Sequence, residues 1–172
     1  EDAARLTTSR LRLDERILHF LLGSPYLDAR LHGQLRRTPP PDGLPPSYDL
    51  AASRVAAGWA AGPGPNLPPL VEVAGGDTRS RADIAAAGAA RSGLGLYAMN
   101  AEDIPTDPAE RDRLARLWQR EAILLPAALL VEVAELDRDQ RAATEAFLVG
   151  AAVPVVVSSE DPLRTDRAHG AR

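Results

Sequence analysis

The sequence predicts an α/β protein, a parallel sheet of about four strands flanked by helices, with an N-terminal helical extension. Three observations carry that prediction. Near-continuous apolar segments at Leu70–Ala74, Leu94–Met99, Ala128–Val133 and Val153–Val157 alternate with helical stretches. A strand that is apolar on both faces is buried on both faces, so helices must cover the sheet above and below. Two proline-rich breaks, at 38–46 and 62–69, divide the chain into residues 1–61, a helical extension and linker, and residues 62–172, the sheet-bearing domain.

Leu13, Ile17, Leu18, Leu21 and Leu22 form one helical stripe, and Gly23 supplies the stop. Asp14, Glu15 and Arg16 read as the start of that helix, where acids favour the dipole, or as an interdomain contact. Ser24 and Pro25 suit the cap and first turn of a second helix that buries Leu27, Leu31 and Leu35, giving a helical hairpin. Thr38 to Pro46 is a stiff linker, because consecutive prolines continue neither ladder, and Ser47 caps a helix running to about Trp59. Asp107, Pro108 and Glu110 mark the start of a helix to about Leu125 with a buried stripe of Leu114, Leu117, Trp118 and Leu125. Asp137 precedes a further helix from Arg138 to about Val149, and after Ser159 the chain turns polar.

The chain has 172 residues and a formal charge of −4, and all 20 of its basic residues besides histidine are arginine. The length suits one α/β domain with an appendage. Arginines scattered among acids argue against nucleic acid as a partner. Without cysteine there is no disulfide framework or thiolate chemistry, in keeping with a cytoplasmic protein. The apolar run from Ile123 to Val131 is broken by Pro126 and falls short of the ~20 residues of a membrane span. A start at Glu1-Asp2, with neither an initiator methionine nor a signal region, is expected of a fragment of a longer cytosolic protein. Arginine in place of lysine, with abundant Ala, Gly and Pro, also fits a GC-rich genome.

The strand Leu70–Ala74 breaks into Gly75, Gly76, Asp77, Thr78, Arg79, Ser80, Arg81 and Ala82 and then becomes an alanine-rich helix to about Arg91. Strand, glycine turn and helix are the layout of a phosphate-binding loop. Laid on G-x-x-x-x-G-K-[ST], Gly75 fits, while Ser80, Arg81 and Ala82 stand where a second glycine, a lysine and a hydroxyl are needed. A guanidinium is a wide planar fork that does not enter the space of an ammonium, and alanine holds no metal. Losing two or three charge-assisted contacts of roughly 1.5–3 kcal/mol each weakens a nucleotide by about two to four decades.

Leu11 to Gly23, the glycine loop, and Leu117 to Leu125 resemble the middle region of large bacterial AAA+ ATPases, over about Leu11 to Pro162. In those proteins a winged-helix or helical N-terminal region precedes a degenerate P-loop NTPase-like domain and then an active ATPase module. Some are encoded beside phage-tail-like contractile injection systems. The resemblance implies an AAA+-like three-layer fold for 62–172, truncated before the fifth strand and lid. It implies that Glu132 and Val133 occupy the Asp and Glu places of the second nucleotide motif, so that the catalytic base is lost, a change of about 10² to 10⁴ in rate. It also places Ser158 or Ser159 at a sensor position, although a serine pair at a strand end is more often turn chemistry.

The expected function is therefore a non-catalytic structural or interaction domain of a larger AAA+ ATPase. Its partner is the active module of the same parent chain, with a homo-oligomer formed through the parent and no cofactor beyond weak ATP or ADP binding. The alternative is a regulatory module in which Gly75, the donors of the turn, Arg79 and Arg81 hold a nucleotide or another anion without hydrolysing it. An active hydrolase would need a lysine in trans and a substitute base. No dinucleotide motif forms, since Gly75-Gly76-Asp77 with Ser80 is not G-x-G-x-x-G, and Gly93 reads as a helix stop. His19, His32 and His169 lack metal-ligand spacing, and no serine has a nucleophile elbow. Trp118 reads as core and Trp59 as core or a docking aromatic. Arg120 with Glu121 reads as a solvated edge or as a domain or subunit contact.

Overall fold

The computed structural model describes residues 14–61 and 70–162. Leu13, the 62–69 break and His169 lie outside the described residues. Helix α1 spans Glu15–Leu21, strand β1 Arg36–Thr38, helix α2 Pro46–Ala61 and strand β2 Leu70–Ala74. Helix α3 (Thr78–Arg91), β3 (Gly95–Asn100), α4 (Pro108–Leu124), β4 (Ala127–Val133), α5 (Arg138–Gly150) and β5 (Val155–Ser159) follow. The sheet has five strands in the order β1-β3-β4-β5-β2. β2, β5, β4 and β3 pair in parallel, and β1 joins the β3 edge antiparallel with Arg36 opposite Ala98. The sheet is mixed, with one strand more than the parallel set expected.

Alternation along β4 explains why its run is apolar throughout. Leu129 and Val131 enter one core with Trp118 of α4 and Phe147 of α5. Ala128 and Leu130 enter a second core with Val55 of α2 and Ile84 of α3. The result is three layers, α2 and α3 on one face and α4 and α5 on the other, each face burying one parity of the central strands β4 and β5, while alternate residues of the edge strand β2 stay exposed. Alanines 85, 86 and 89 of α3 are buried where α2 crosses it, and a Cβ on Gly88 would stand 2.7 Å from Val55 Cγ1. Small residues here let the two helix backbones approach. Trp59 resolves as a packing residue, half-buried and donating from Nε1 to the Val155 carbonyl at 3.3 Å. Trp118 is core, edge-to-face with Tyr97 at 5.7 Å. Asp107 and Asp137 cap α4 and α5 by accepting from the Glu110 and Gln140 amides.

The expected helical hairpin is corrected. α1 forms, but Ser24-Pro25 starts no second helix; the chain makes a 3-10 turn at Ala29–Leu31 and then enters β1. Asp28 accepts from the Arg30 amide at 2.9 Å, closing a tight turn, and Gly33 at φ 88° breaks any helical path. Leu31 and Leu35 are buried in the first core all the same, so their spacing recorded burial on an irregular strap. The apolar stripe of α1 is also reversed: Leu18, Leu21 and Leu22 are exposed, while Arg16 is 3% exposed.

Candidate functional site

The glycine turn sits at the carboxyl edge of the parallel strands, where open α/β sheets place their ligand sites. Gly75 and Gly76 have φ of 85° and 63°, a left-handed pair that side chains disfavour. The Gly75 amide donates to the carbonyls of Ser159 at 3.2 Å and Glu160 at 3.0 Å, tying the turn to the end of β5. Asp77 then caps α3, accepting from the Ser80 amide at 2.9 Å and from the Ser80 hydroxyl at 2.7 Å. The Ser80 hydroxyl, then the Ser80 amide, hold the Asp77 carboxyl below its ordinary pKa. An ionised carboxylate thus occupies the helix N-terminus, the place where a bound phosphate would sit.

Arg81, one turn into α3, is 7% exposed and folds back beneath the loop. Its Nε donates to Ser158 Oγ at 2.8 Å, Nη1 to the Gly76 carbonyl at 2.7 Å and the Gly75 carbonyl at 3.3 Å, and Nη2 to Thr78 Oγ1 at 3.1 Å. A phosphate loop turns amide N–H groups inward to meet an anion. This loop turns two carbonyls inward to meet a cation of the same chain. Arg79 is exposed, and Ala82 packs against the second core.

Glu132, next to last in β4, stands in register with Ser158 of β5 and Asn100 of β3. Its carboxylate turns to the far edge of the sheet and pairs with Arg36 of β1 through Oε2, while Oε1 is buried without a hydrogen-bond partner. Val133 packs at the margin of the first core. Ser159 Oγ donates to Glu72 Oε1 at 3.3 Å. The structure therefore joins Gly75, Gly76, Thr78, Arg81 and Ser158 in one hydrogen-bonded cluster and directs the Glu132 carboxylate elsewhere.

A second polar cluster binds the N-terminal strap to α4. Glu121 is completely buried and accepts from Arg16 Nε at 2.8 Å, from the Asp28 amide at 3.2 Å and from Arg120 Nε at 3.1 Å. Asp28 in turn pairs with Arg120 and, at 2.6 Å, with Arg30; the Arg30 hydrogen bond above all holds its carboxyl far below the ordinary carboxylate range. Arg16 also lies 4.9 Å from the Tyr26 ring centroid, a cation–π contact. Arg120-Glu121 is thus an intramolecular clasp. Its signal in the sequence was a carboxylate on an otherwise apolar helix face. His19 meets the Tyr26 hydroxyl and His32 the Leu27 carbonyl, and among the described residues no three His, Asp or Glu side chains gather as a metal site would need.

No family model and no curated protein matches the chain. Among solved structures, it aligns with that of Rhizobiales Trip13 at 15% identity and a TM-score of 0.38, covering 91% of this chain and 62% of that one. It also aligns with an E. coli MS115-1 HORMA:CdnC:Trip13 complex at 16% identity and a TM-score of 0.37, covering 70% of this chain and 51% of that one. The chain spans less than two thirds of either. These findings correct the family assignment: no match ties the chain to the degenerate middle domain of large AAA+ ATPases found beside contractile injection systems, and alignments this weak establish no family. What stands is the class, an α/β fold with a mostly parallel five-stranded sheet between helices. Among the described residues no helix is long and apolar enough to cross a membrane.

Proposed function

We propose that this chain is a non-catalytic structural or interaction domain serving a larger ATPase, its partner being a catalytically active module of the same parent protein. The observation that carries the reading is the Arg81 guanidinium. It satisfies the carbonyls of Gly75 and Gly76 from within, and Asp77 caps the helix that a phosphate would need. For nucleotide to enter, Arg81 would have to abandon buried charge-assisted bonds worth roughly 1.5–3 kcal/mol each, and Asp77 would have to leave the helix N-terminus. Hydrolysis is further disfavoured because Val133 offers no base and the Glu132 carboxylate is neutralised by Arg36. A regulatory nucleotide- or anion-binding module, the alternative, requires the same rearrangement, and no separate observation favours it. Steady-state ATP hydrolysis by the purified chain is expected to be nil. Turnover that Glu132→Ala abolishes would overturn the reading.

A further inference from the structure

On the α4 face, remote from the loop, an open groove of about 550 Å³ runs between the N-terminal strap and α4. Four arginines line it, Arg30 from the strap and Arg113, Arg116 and Arg120 from α4, with Leu114 and Leu117 beside them. The spacing is helical: 113, 116 and 120 form one ridge, and 114 and 117 the adjoining one. Two of the arginines are already engaged, since Arg30 and Arg120 pair with Asp28 and Asp14. Arg113 and Arg116 are exposed and, among the described residues, have no acidic partner within ion-pair distance.

From this arrangement we infer that the groove is a docking site for an acidic segment of a partner protein, one that carries apolar side chains among its carboxylates. Arg113 and Arg116 present planar forks that match carboxylates bidentately. Leu117 and Pro105, both half-buried, supply an apolar surface for the residues between them. Buried Asp28 and Glu121 hold Arg30 and Arg120 in place, so that side of the groove is ordered before a ligand arrives. Nucleic acid suits the groove less well. Glu110 stands in its lining and Asp28 behind it, the chain has a net charge of −4, and Arg113 and Arg116 make too short a row of free cations to follow a phosphate backbone. The inference is independent of the loop and stands whether or not Arg81 excludes nucleotide.

The test is fluorescence anisotropy with a short labelled peptide rich in Glu and Leu, titrated with the intact chain. A neutral Ser/Ala peptide and a labelled single-stranded oligonucleotide run alongside. The acidic peptide is expected to bind and to weaken as salt rises. Arg113→Glu with Arg116→Glu should weaken it by about tenfold or more, two attractions having become repulsions. Arg54→Glu with Arg141→Glu, exposed positions outside the groove, should leave binding unchanged. Absence of binding at millimolar chain would overturn the proposal, and so would equal losses in both double variants, which mean non-specific attraction. Tighter binding of the oligonucleotide through Arg113 and Arg116 would overturn it in favour of nucleic acid.

Discussion

Glu121→Gln is the substitution most informative about how the N-terminal strap is held. The native carboxylate has no exposure to solvent and faces Arg16, which is 3% exposed. Arg16 Nη1 and Nη2 already lack hydrogen-bond acceptors, so Nε to Glu121 is the one hydrogen bond its guanidinium makes among the described residues. Removing one partner of such a pair leaves an uncompensated buried charge at a cost of about 3–5 kcal/mol. The amide oxygen of Gln keeps a neutral acceptor, and the Tyr26 ring still faces the cation. Both effects favour the lower end, about 3 kcal/mol. For a chain of 172 residues that corresponds to about 6–12 °C in melting temperature. If the strap undocks before the sheet melts, part of the loss will appear as faster proteolysis within 22–35. Urea unfolding followed by far-UV circular dichroism measures the first effect and limited proteolysis the second. A change under about 1 kcal/mol with unaltered proteolysis would refute the clasp. Arg16→Met combined with Glu121→Met should recover most of the loss, because a well-packed apolar pair replaces buried ions at little cost.

Three further outcomes follow. Asp28 has a native carboxyl pKa below its unfolded value of 3.8. Its contribution is therefore complete above that value and lost as pH falls below it; urea midpoints against pH should show a loss in this range that Asp28→Asn removes. Gly88→Ala, despite the better helix propensity of alanine, should destabilise by about 1–3 kcal/mol in a thermal melt, since the new methyl group meets Val55 at 2.7 Å and the Ala52 carbonyl at 3.1 Å. Arg81→Met should cost roughly 2–4 kcal/mol through the loss of acceptor contacts at Gly76, Ser158 and Thr78. An Arg81→Met variant as stable as the native chain would mean that the guanidinium does not organise the loop.

Much of the sheet was legible in the sequence, because burial on two faces writes a continuous apolar segment and caps such as Asp107 and Asp137 are local. The strap was less so. Leu27, Leu31 and Leu35 repeat at helical spacing, yet the Asp28 turn and left-handed Gly33 override that period. β1 has three residues, Arg36–Thr38, with no apolar pattern, and exists because the β3 edge is there to pair with it. At the loop, the substitution of arginine for lysine was plain, but its consequence was not. Only the folded chain brings Ser158 beside position 81 and turns the Gly75 and Gly76 carbonyls inward. Arg16 and Glu121, 105 positions apart, carried no local sign of their pairing.

The loop is closed by its own arginine, and calorimetric titration of ATP and ADP with Mg²⁺ into the native chain tests that most directly. No binding heat at millimolar nucleotide is the predicted result. Micromolar binding that Arg81→Ala abolishes would contradict it, because the guanidinium would then be serving a ligand instead of the loop.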